Sequence, residues 1–247
     1  MAEKVGRRNF LKQVAAVGTA AVGAVPAAEA SIEAAVPAAA APEAQTAQQS
    51  KSAAPARDGY TFLTVPEAAF VEAFVDVLVP ADELTPSGTD LGLATFIDRQ
   101  LAGAWGKGDR LYQQGPWAQG APGQGYQLPL TPAEFFRAGI AEVNKHCKQE
   151  YGKEFDRLAP ADKQRVLESL DKSMIKLDRL SGKQFFEAAY QATMEGLFGD
   201  PVYGGNKNKA AWKMIGYPGV IAVHATNITT YKNKPYVVPP VGIADLQ

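Results

Sequence analysis

Apolar residues recur at helical spacing in five segments of the chain. Three of these segments begin with a capping box, in which the first residue and the residue three positions later satisfy each other's backbone N–H groups. The capping boxes run from Thr64 to Glu67, from Thr131 to Glu134 and from Ser181 to Gln184. Asp90 is the predicted N-cap of a further helix. The pattern predicts helices over about 65–79, 90–104, 132–151, 160–170 and 182–198.

The remainder of this region has an irregular sequence. Residues 105–128 hold six glycines and two prolines, with Trp105, Tyr112, Trp117 and Tyr126 interleaved, which predicts a long loop. Loops of this length are usually functional or packed against another surface. Strand-like patterns are confined to 220–223 and 236–238. We therefore predict an all-α fold: a single compact domain of about five or more helices, with a long Gly/aromatic loop and an irregular, extended C-terminus.

The N-terminus has the three parts of an export signal in order. A basic region is followed by a weakly apolar stretch over 14–25 and then by an A-x-A cleavage site. The paired arginines match the twin-arginine variant of such signals. The residues that carry this reading are Arg7, Arg8, Phe10, Leu11 and Lys12 for the signal, and Ala28 and Ala30 for cleavage. Residues 1–30 are therefore a predicted twin-arginine signal peptide, and that route exports proteins already folded.

Residues 31–57 form a different segment, with eleven Ala, three Pro and three Gln. This composition offers too little apolar area to offset the entropy of ordering, so we predict a disordered linker. Residues 58–247 are long enough for one hydrophobic core and form the predicted helical domain. The apolar part of the signal is shorter than the roughly 20 residues of a membrane span. We therefore expect membrane attachment only through partners.

Charge and composition exclude several classes of function. With 25 basic against 26 acidic residues and no dense basic stripe, the chain has no footprint for nucleic acid. One cysteine and two distant histidines do not supply a zinc, iron–sulfur or c-type haem site. Motifs for nucleotide binding or nucleophilic catalysis are also missing from the sequence. We expect no catalytic, cofactor-binding or metal-binding residues in this chain.

Cys147 has two open readings. In an oxidising periplasm a lone cysteine can form a disulfide with another chain. Its helical register beside Ile140 and Val143 equally fits a buried apolar residue. A reactive pair with His146 is geometrically poor, because adjacent helical residues point about 100° apart. His224 is interpreted as a structural histidine.

The segment from Gly199 to Gly219 contains the most specific motif. Residues 200–206 read Asp-Pro-Val-Tyr-Gly-Gly-Asn, and residues 212–219 read Trp-Lys-Met-Ile-Gly-Tyr-Pro-Gly. This pair of motifs resembles the gluconate 2-dehydrogenase subunit 3 family, the small subunits of flavin-dependent sugar and sugar-acid dehydrogenases. The twin-arginine signal, the Ala/Pro-rich segment and a helix beginning near Phe62 occur in the same order in that family.

The resemblance implies a non-catalytic small subunit that binds a large FAD-binding dehydrogenase subunit, often with a multihaem cytochrome c subunit. FAD would then lie in the partner and haem c in a third subunit, with no cofactor in this chain. The small subunit would carry its folded partner through the twin-arginine translocase and remain bound in the periplasm, at the periplasmic face of the inner membrane. Cys147 could form the intersubunit disulfide.

Aromatic and glycine content identifies candidate contact residues on this reading. They are Trp117, Tyr203, Gly204, Gly205, Asn206, Trp212, Tyr217 and Pro218. The proline-rich residues 234–240 could lie along the partner as an extended strap. For the 203–219 segment the alternative is that its aromatic residues close the helical core.

Two other functions stay open at this stage. A free-standing periplasmic binding or scaffold domain would carry a small-molecule pocket near residues 105–126. A small hydrolase using Asp200 or Glu195 is the third possibility, but carboxylate catalysis needs two carboxyl groups at a defined separation.

Overall fold

Helix formation in this domain begins at capping residues. The computed structural model describes residues 59–109, 111–118, 120–220 and 225–246, and within these ranges its regular structure is helical. The α-helices are α1 (Val65–Leu78), α2 (Leu93–Ala102), α3 (Pro132–Tyr151), α4 (Pro160–Asp171), α5 (Gly182–Phe198), α6 (Ala210–Ile215) and α7 (Ala225–Thr230). The predicted all-α fold is confirmed.

The three predicted capping residues lie at helix N-termini. The Thr131 hydroxyl accepts a hydrogen bond from the Glu134 N–H at 3.3 Å, and the Glu134 carboxylate accepts one from the Thr131 N–H at 2.8 Å. These bonds hold the pKa of Glu134 below its usual value. Thr64 N–H donates to Glu67 at 2.8 Å in the same way. The Ser181 hydroxyl accepts from the Gln184 N–H at 3.4 Å.

The predicted start of α2 was wrong. Asp90 is not the N-cap; its N–H and carboxylate bond to the Ser87 hydroxyl in the preceding turn. The helix begins after Gly92, whose φ of 80° is a left-handed conformation suited to glycine. A Cβ at this position would lie 2.4 Å from the Gly204 carbonyl oxygen. The chain therefore turns at Gly92 to meet the C-terminal motif, and α2 ends at Ala102.

Phenylalanine side chains dominate the core. Five of them are less than 2 % exposed: Phe70, Phe74, Phe135, Phe155 and Phe185. The Phe70 and Phe155 rings lie 4.8 Å apart, which joins α1 to the 3-10 turn Phe155–Arg157. α5 packs against α2, α3, α4 and α6 and is the central helix of the described region. Among the described residues no helix is both long and apolar enough to cross a membrane.

The long loop is packed at its ends and exposed in the middle. The Trp105 ring meets Phe136 edge-on at 6.0 Å, and the Tyr126 ring stacks on Phe135 at 4.0 Å. Between them, Tyr112 is 77 % exposed and Trp117 is 36 % exposed. Trp105 is itself 44 % exposed despite its ring contact, so half-buried Tyr126 is the firmer anchor and Tyr112 is the most exposed of the four aromatic residues.

The C-terminal residues fold back onto the 200–219 motif. Val220 N–H donates to the Val241 carbonyl at 2.7 Å, and Val241 N–H donates to the Pro218 carbonyl at 3.0 Å. This pairing is an isolated parallel bridge between Gly219 and Val241. Residues 236–238 lie in extended backbone outside any strand, and 221–224 lie outside the described residues. The irregular C-terminus is confirmed.

Candidate functional site

Asp200 organises the start of the C-terminal motif. Its carboxylate accepts a hydrogen bond from the Val202 N–H at 2.9 Å, which caps the 3-10 turn Pro201–Tyr203. The second oxygen accepts from the Ile243 N–H at 2.8 Å. One side chain therefore joins the motif to the C-terminal residues. These bonds give Asp200 a structural role.

Asn206 lies inside the motif and is fully buried. Its side-chain amide donates to the Gly199 carbonyl at 3.0 Å, and its side-chain oxygen accepts from the Ala211 N–H at 3.0 Å. The residue thereby connects the end of α5 to the start of α6. Its φ of 46° is left-handed, a conformation that asparagine tolerates better than most residues. Asn206 stabilises the motif from within.

The paired glycines have backbone roles. Gly204 adopts a φ of 107°, and Gly205 is buried against α5. A Cβ at Gly205 would lie 2.3 Å from the Gly196 carbonyl oxygen, so no larger residue fits this close approach. Neither glycine supplies a side chain to a partner; they allow the motif to turn and to approach α5 closely.

Trp212 belongs to the core. Its side chain is 3 % exposed, and its indole N–H donates to the Phe198 carbonyl at 2.7 Å. Of the two readings of this residue, the structure supports core packing over partner contact. We therefore remove Trp212, Gly205 and Asn206 from the direct contact surface, because buried side chains do not reach a second chain.

Other residues of the predicted contact set are accessible. Tyr203 is 52 % exposed and Tyr217 is 46 % exposed, although the Tyr217 ring meets Trp212 edge-on at 5.2 Å. Pro218 is half-buried. Trp117 lies in the long loop, outside the 200–219 motif. The structure thus separates the set into an exposed group and a buried supporting group.

Cys147 is buried on the inner face of α3, with no exposed surface. Burial raises the pKa of its thiol to about 11. Of the two readings of this cysteine, the structure supports the apolar core residue. An intersubunit disulfide would need an accessible sulfur, so we do not propose one. Neighbouring His146 is half-buried, and adjacent helical residues point about 100° apart, which does not suit a reactive pair.

Native Cys147 is expected to resist alkylation. With a pKa near 11, about one thiol in a thousand is ionised near pH 8, and the sulfur is also shielded from reagents. Iodoacetamide treatment followed by mass spectrometry should show an unmodified thiol in the folded chain and full modification in denaturant. Rapid labelling of the native chain, or a dimer on a non-reducing gel, would contradict the buried assignment.

A groove of about 560 Å³ lies between α1 and α3. Its basic side chains are paired: Arg137 with Glu67 at 3.4 Å, and Lys148 with Glu154 at 2.8 Å. Lys145 pairs with Asp178 at 2.7 Å. The groove is lined by α1 and α3 and not by the 105–126 loop where a small-molecule pocket was expected.

Sequence reasoning missed the role of Asp98. This side chain is 2 % exposed, and its carboxylate accepts hydrogen bonds from three consecutive backbone N–H groups at 2.8–2.9 Å. The donors are Thr61, Phe62 and Leu63. The sequence signal that could have indicated this role is the position of Asp98, a charged residue directly after the apolar residues Phe96 and Ile97 in α2. Through these bonds Asp98 holds residues 61–63, which precede α1, against α2.

The predicted signal residues and His224 lie outside the described residues. The described part of the chain contains no group of three or more His, Cys, Asp or Glu side chains placed to hold a metal ion. The hydrogen bonds that the Asp200 and Asn206 side chains make are, as described above, with backbone groups.

Comparison with known proteins adds one finding. Residues 66–219 match the family described as gluconate 2-dehydrogenase subunit 3. No curated protein and no solved structure showed a significant match to the chain. The match spans α1 to the end of the Trp212–Gly219 motif, which is more than half of the chain. The chain therefore belongs to the gluconate 2-dehydrogenase subunit 3 family.

Proposed function

We propose that this chain is a non-catalytic accessory subunit of a membrane-associated, FAD-dependent sugar or sugar-acid dehydrogenase. In this role it escorts the folded flavoprotein subunit through the twin-arginine translocase and stabilises it afterwards in the periplasm. The observation that carries the proposal is the family match, because it makes the chain a relative of one subunit of a dehydrogenase complex. The paired arginines Arg7 and Arg8 support the export step.

The division of labour follows from the chemistry of flavin loading. A flavoprotein that takes up FAD in the cytoplasm must be folded before it crosses the membrane. A partner without its own signal can use the signal of a bound subunit if the two chains form a stable complex first. The accessory chain then needs an export signal and a binding surface, and the FAD and any haem c belong to the other subunits.

Exposed aromatic residues supply candidate anchors for that complex. Tyr203, Tyr217 and Trp117 each leave more than a third of their surface accessible. Tyrosine and tryptophan are enriched among residues that dominate binding energy at interfaces. The Tyr203 N–H donates to the Asp200 carbonyl at 3.1 Å, and the Tyr217 N–H donates to the Trp212 carbonyl at 2.9 Å. Both residues therefore stand on hydrogen-bonded backbone, which reduces the entropy lost on binding.

Co-expression with a flavoprotein subunit that lacks its own export signal, sought among the neighbouring genes, tests the proposal. The double substitution Arg7→Lys/Arg8→Lys is expected to lower periplasmic FAD content and dye-linked dehydrogenase activity by about tenfold or more, because the translocase reads the arginine pair. Lys4→Arg is the matched control, since it alters a basic residue outside the pair. It should leave periplasmic activity unchanged.

Two results would overturn the proposal. One is export of active flavoprotein in cells that lack this chain. The other is failure of the two chains to copurify from the periplasm. Either result would favour the alternative of a free-standing periplasmic binding or scaffold domain.

A further inference from the structure

The charges of this chain are divided unequally along its length. Residues 59–199 carry 14 Lys and Arg against 19 Asp and Glu, whereas residues 200–247 carry five lysines against Asp200 and Asp245. Asp245 is already paired with Lys209. Lys207 and Lys213 are exposed on either side of the start of α6. The family motif is therefore a basic region in an otherwise acidic domain.

The same region exposes apolar side chains. We select six of them, each 37–55 % accessible, and call them the C-terminal patch: Phe198, Val202, Tyr203, Ile215, Tyr217 and Ile243. Single exposed apolar residues are normal on protein surfaces, but clusters of them mark interaction sites. The question is whether these six lie together.

Two hydrogen-bonded anchors bring the C-terminal patch together. Asp200 accepts N–H bonds from both Val202 and Ile243, which places these two residues on either side of one carboxylate. Trp212 bonds the Phe198 carbonyl and packs its ring against Tyr217. The 3-10 turn 201–203 packs against both of the turns 207–209 and 243–246. The patch is thus built on one hydrogen-bonded support.

We infer that the C-terminal patch, with Lys207 and Lys213, docks an apolar surface bordered by carboxylates on the flavoprotein subunit. This inference rests on the proposed function and adds the surface and the chemistry of the contact. Apolar anchors would supply the affinity. The lysines would steer association with an acidic partner and fix its register.

A protein partner fits the patch better than an anionic membrane. Helices that lie on membranes present a long apolar face, often of 20 residues or more. Here α6, which carries Ile215, has six residues, and α5 contributes only its last residue, Phe198. The other four residues of the patch stand on 3-10 turns and loops. Fixed aromatic side chains on irregular backbone are typical of protein contacts.

Charge reversal tests the inference in the full-length chain. Lys207→Glu/Lys213→Glu is expected to raise the Kd for the purified flavoprotein subunit by about tenfold or more in low salt, mainly through slower association. The difference should shrink in about 0.5 M NaCl, where charges are screened. Surface plasmon resonance measures both rates, and unchanged thermal unfolding shows that the variant is folded.

Matched controls distinguish an effect of where the substituted lysines lie from an effect of the change in net charge. Lys153→Glu/Lys176→Glu makes the same change in charge at exposed lysines on other elements. At about 0.15 M salt it should leave the Kd within about twofold of the unmodified chain, because the Debye length there is about 8 Å and charges outside the patch are screened. Ile215→Ser should weaken binding, whereas Met174→Ser, at a 71 % exposed residue elsewhere, should not.

The outcomes distinguish this inference from the proposed function. If the unmodified chain binds the flavoprotein and the Lys207/Lys213 and Ile215 variants bind equally well, the inference is wrong and the proposed function stands. If the unmodified chain does not bind the flavoprotein at all, the proposed function fails. Sedimentation of the chain with phosphatidylglycerol vesicles, lost on Lys207→Glu/Lys213→Glu, would make the patch lipid-facing and overturn the inference.

Discussion

Substitution of Trp212 with alanine is expected to lower the free energy of unfolding by about 3–5 kcal/mol. The side chain is 3 % exposed, so its removal leaves a large cavity beneath the 200–219 motif. It also removes the N–H that bonds the Phe198 carbonyl at the end of α5. Urea denaturation of the full-length chain, followed by circular dichroism, measures the change.

Two variants identify the origin of this loss. Trp212→Phe keeps a ring but removes the N–H, and is expected to show a smaller destabilisation that includes the lost hydrogen bond. Trp117→Ala removes the same residue type from the exposed loop and should cost less than about 1 kcal/mol. A Trp212→Ala chain that unfolds like the unmodified protein but no longer binds the flavoprotein would contradict the core assignment.

Substitution of Asp98 with alanine is expected to cost about 3–5 kcal/mol of unfolding free energy. Three backbone N–H groups lose their acceptor, and hydrogen bonds to charged groups contribute about 1.5–3 kcal/mol each, though not additively. Hydrogen exchange of the Thr61, Phe62 and Leu63 amides should accelerate. Denaturation and amide exchange by mass spectrometry together measure the two effects.

An asparagine at this position provides a graded comparison. Its single carbonyl oxygen can still accept from Phe62 and Leu63, but its NH2 group faces the Thr61 N–H, so about 1–3 kcal/mol should be lost. Asp90→Ala is the exposed control and should cost less than about 1 kcal/mol, because its partner is the nearby Ser87 hydroxyl. Equal stability of the Asp98→Ala and Asp90→Ala chains would contradict this account of Asp98.

Local signals predicted most of the helices. The capping box at Thr131 is contained in four consecutive residues, and the spacing of the apolar residues that follow predicts a helix that ends at Tyr151. The predicted start of α2 at Asp90 was wrong because the true start depends on a contact between residues distant in sequence. Gly92 adopts a left-handed backbone conformation and lies close to Gly204, and the sequence around Asp90 contains no signal of that contact.

The candidate site was only partly predictable for the same reason. The 200–219 motif was recognised as a unit, but its sequence does not say which aromatic side chain faces inward. Trp212 is buried because its indole N–H finds the carbonyl of Phe198, fourteen positions earlier. The backbones of Val202 and Ile243 come together because Asp200 accepts a hydrogen bond from each of them.

The attachment of residues 61–63 to Asp98 has a mechanical consequence. Any tension applied to the chain before Gly59 enters the domain through Tyr60, whose hydroxyl donates to Glu72 at 2.5 Å, and then through the three bonds to Asp98. Those bonds lie ahead of α1 in the direction of pull. They share the strain before the first turn of α1 is stretched, and in this way three hydrogen bonds to one buried carboxylate protect the start of α1.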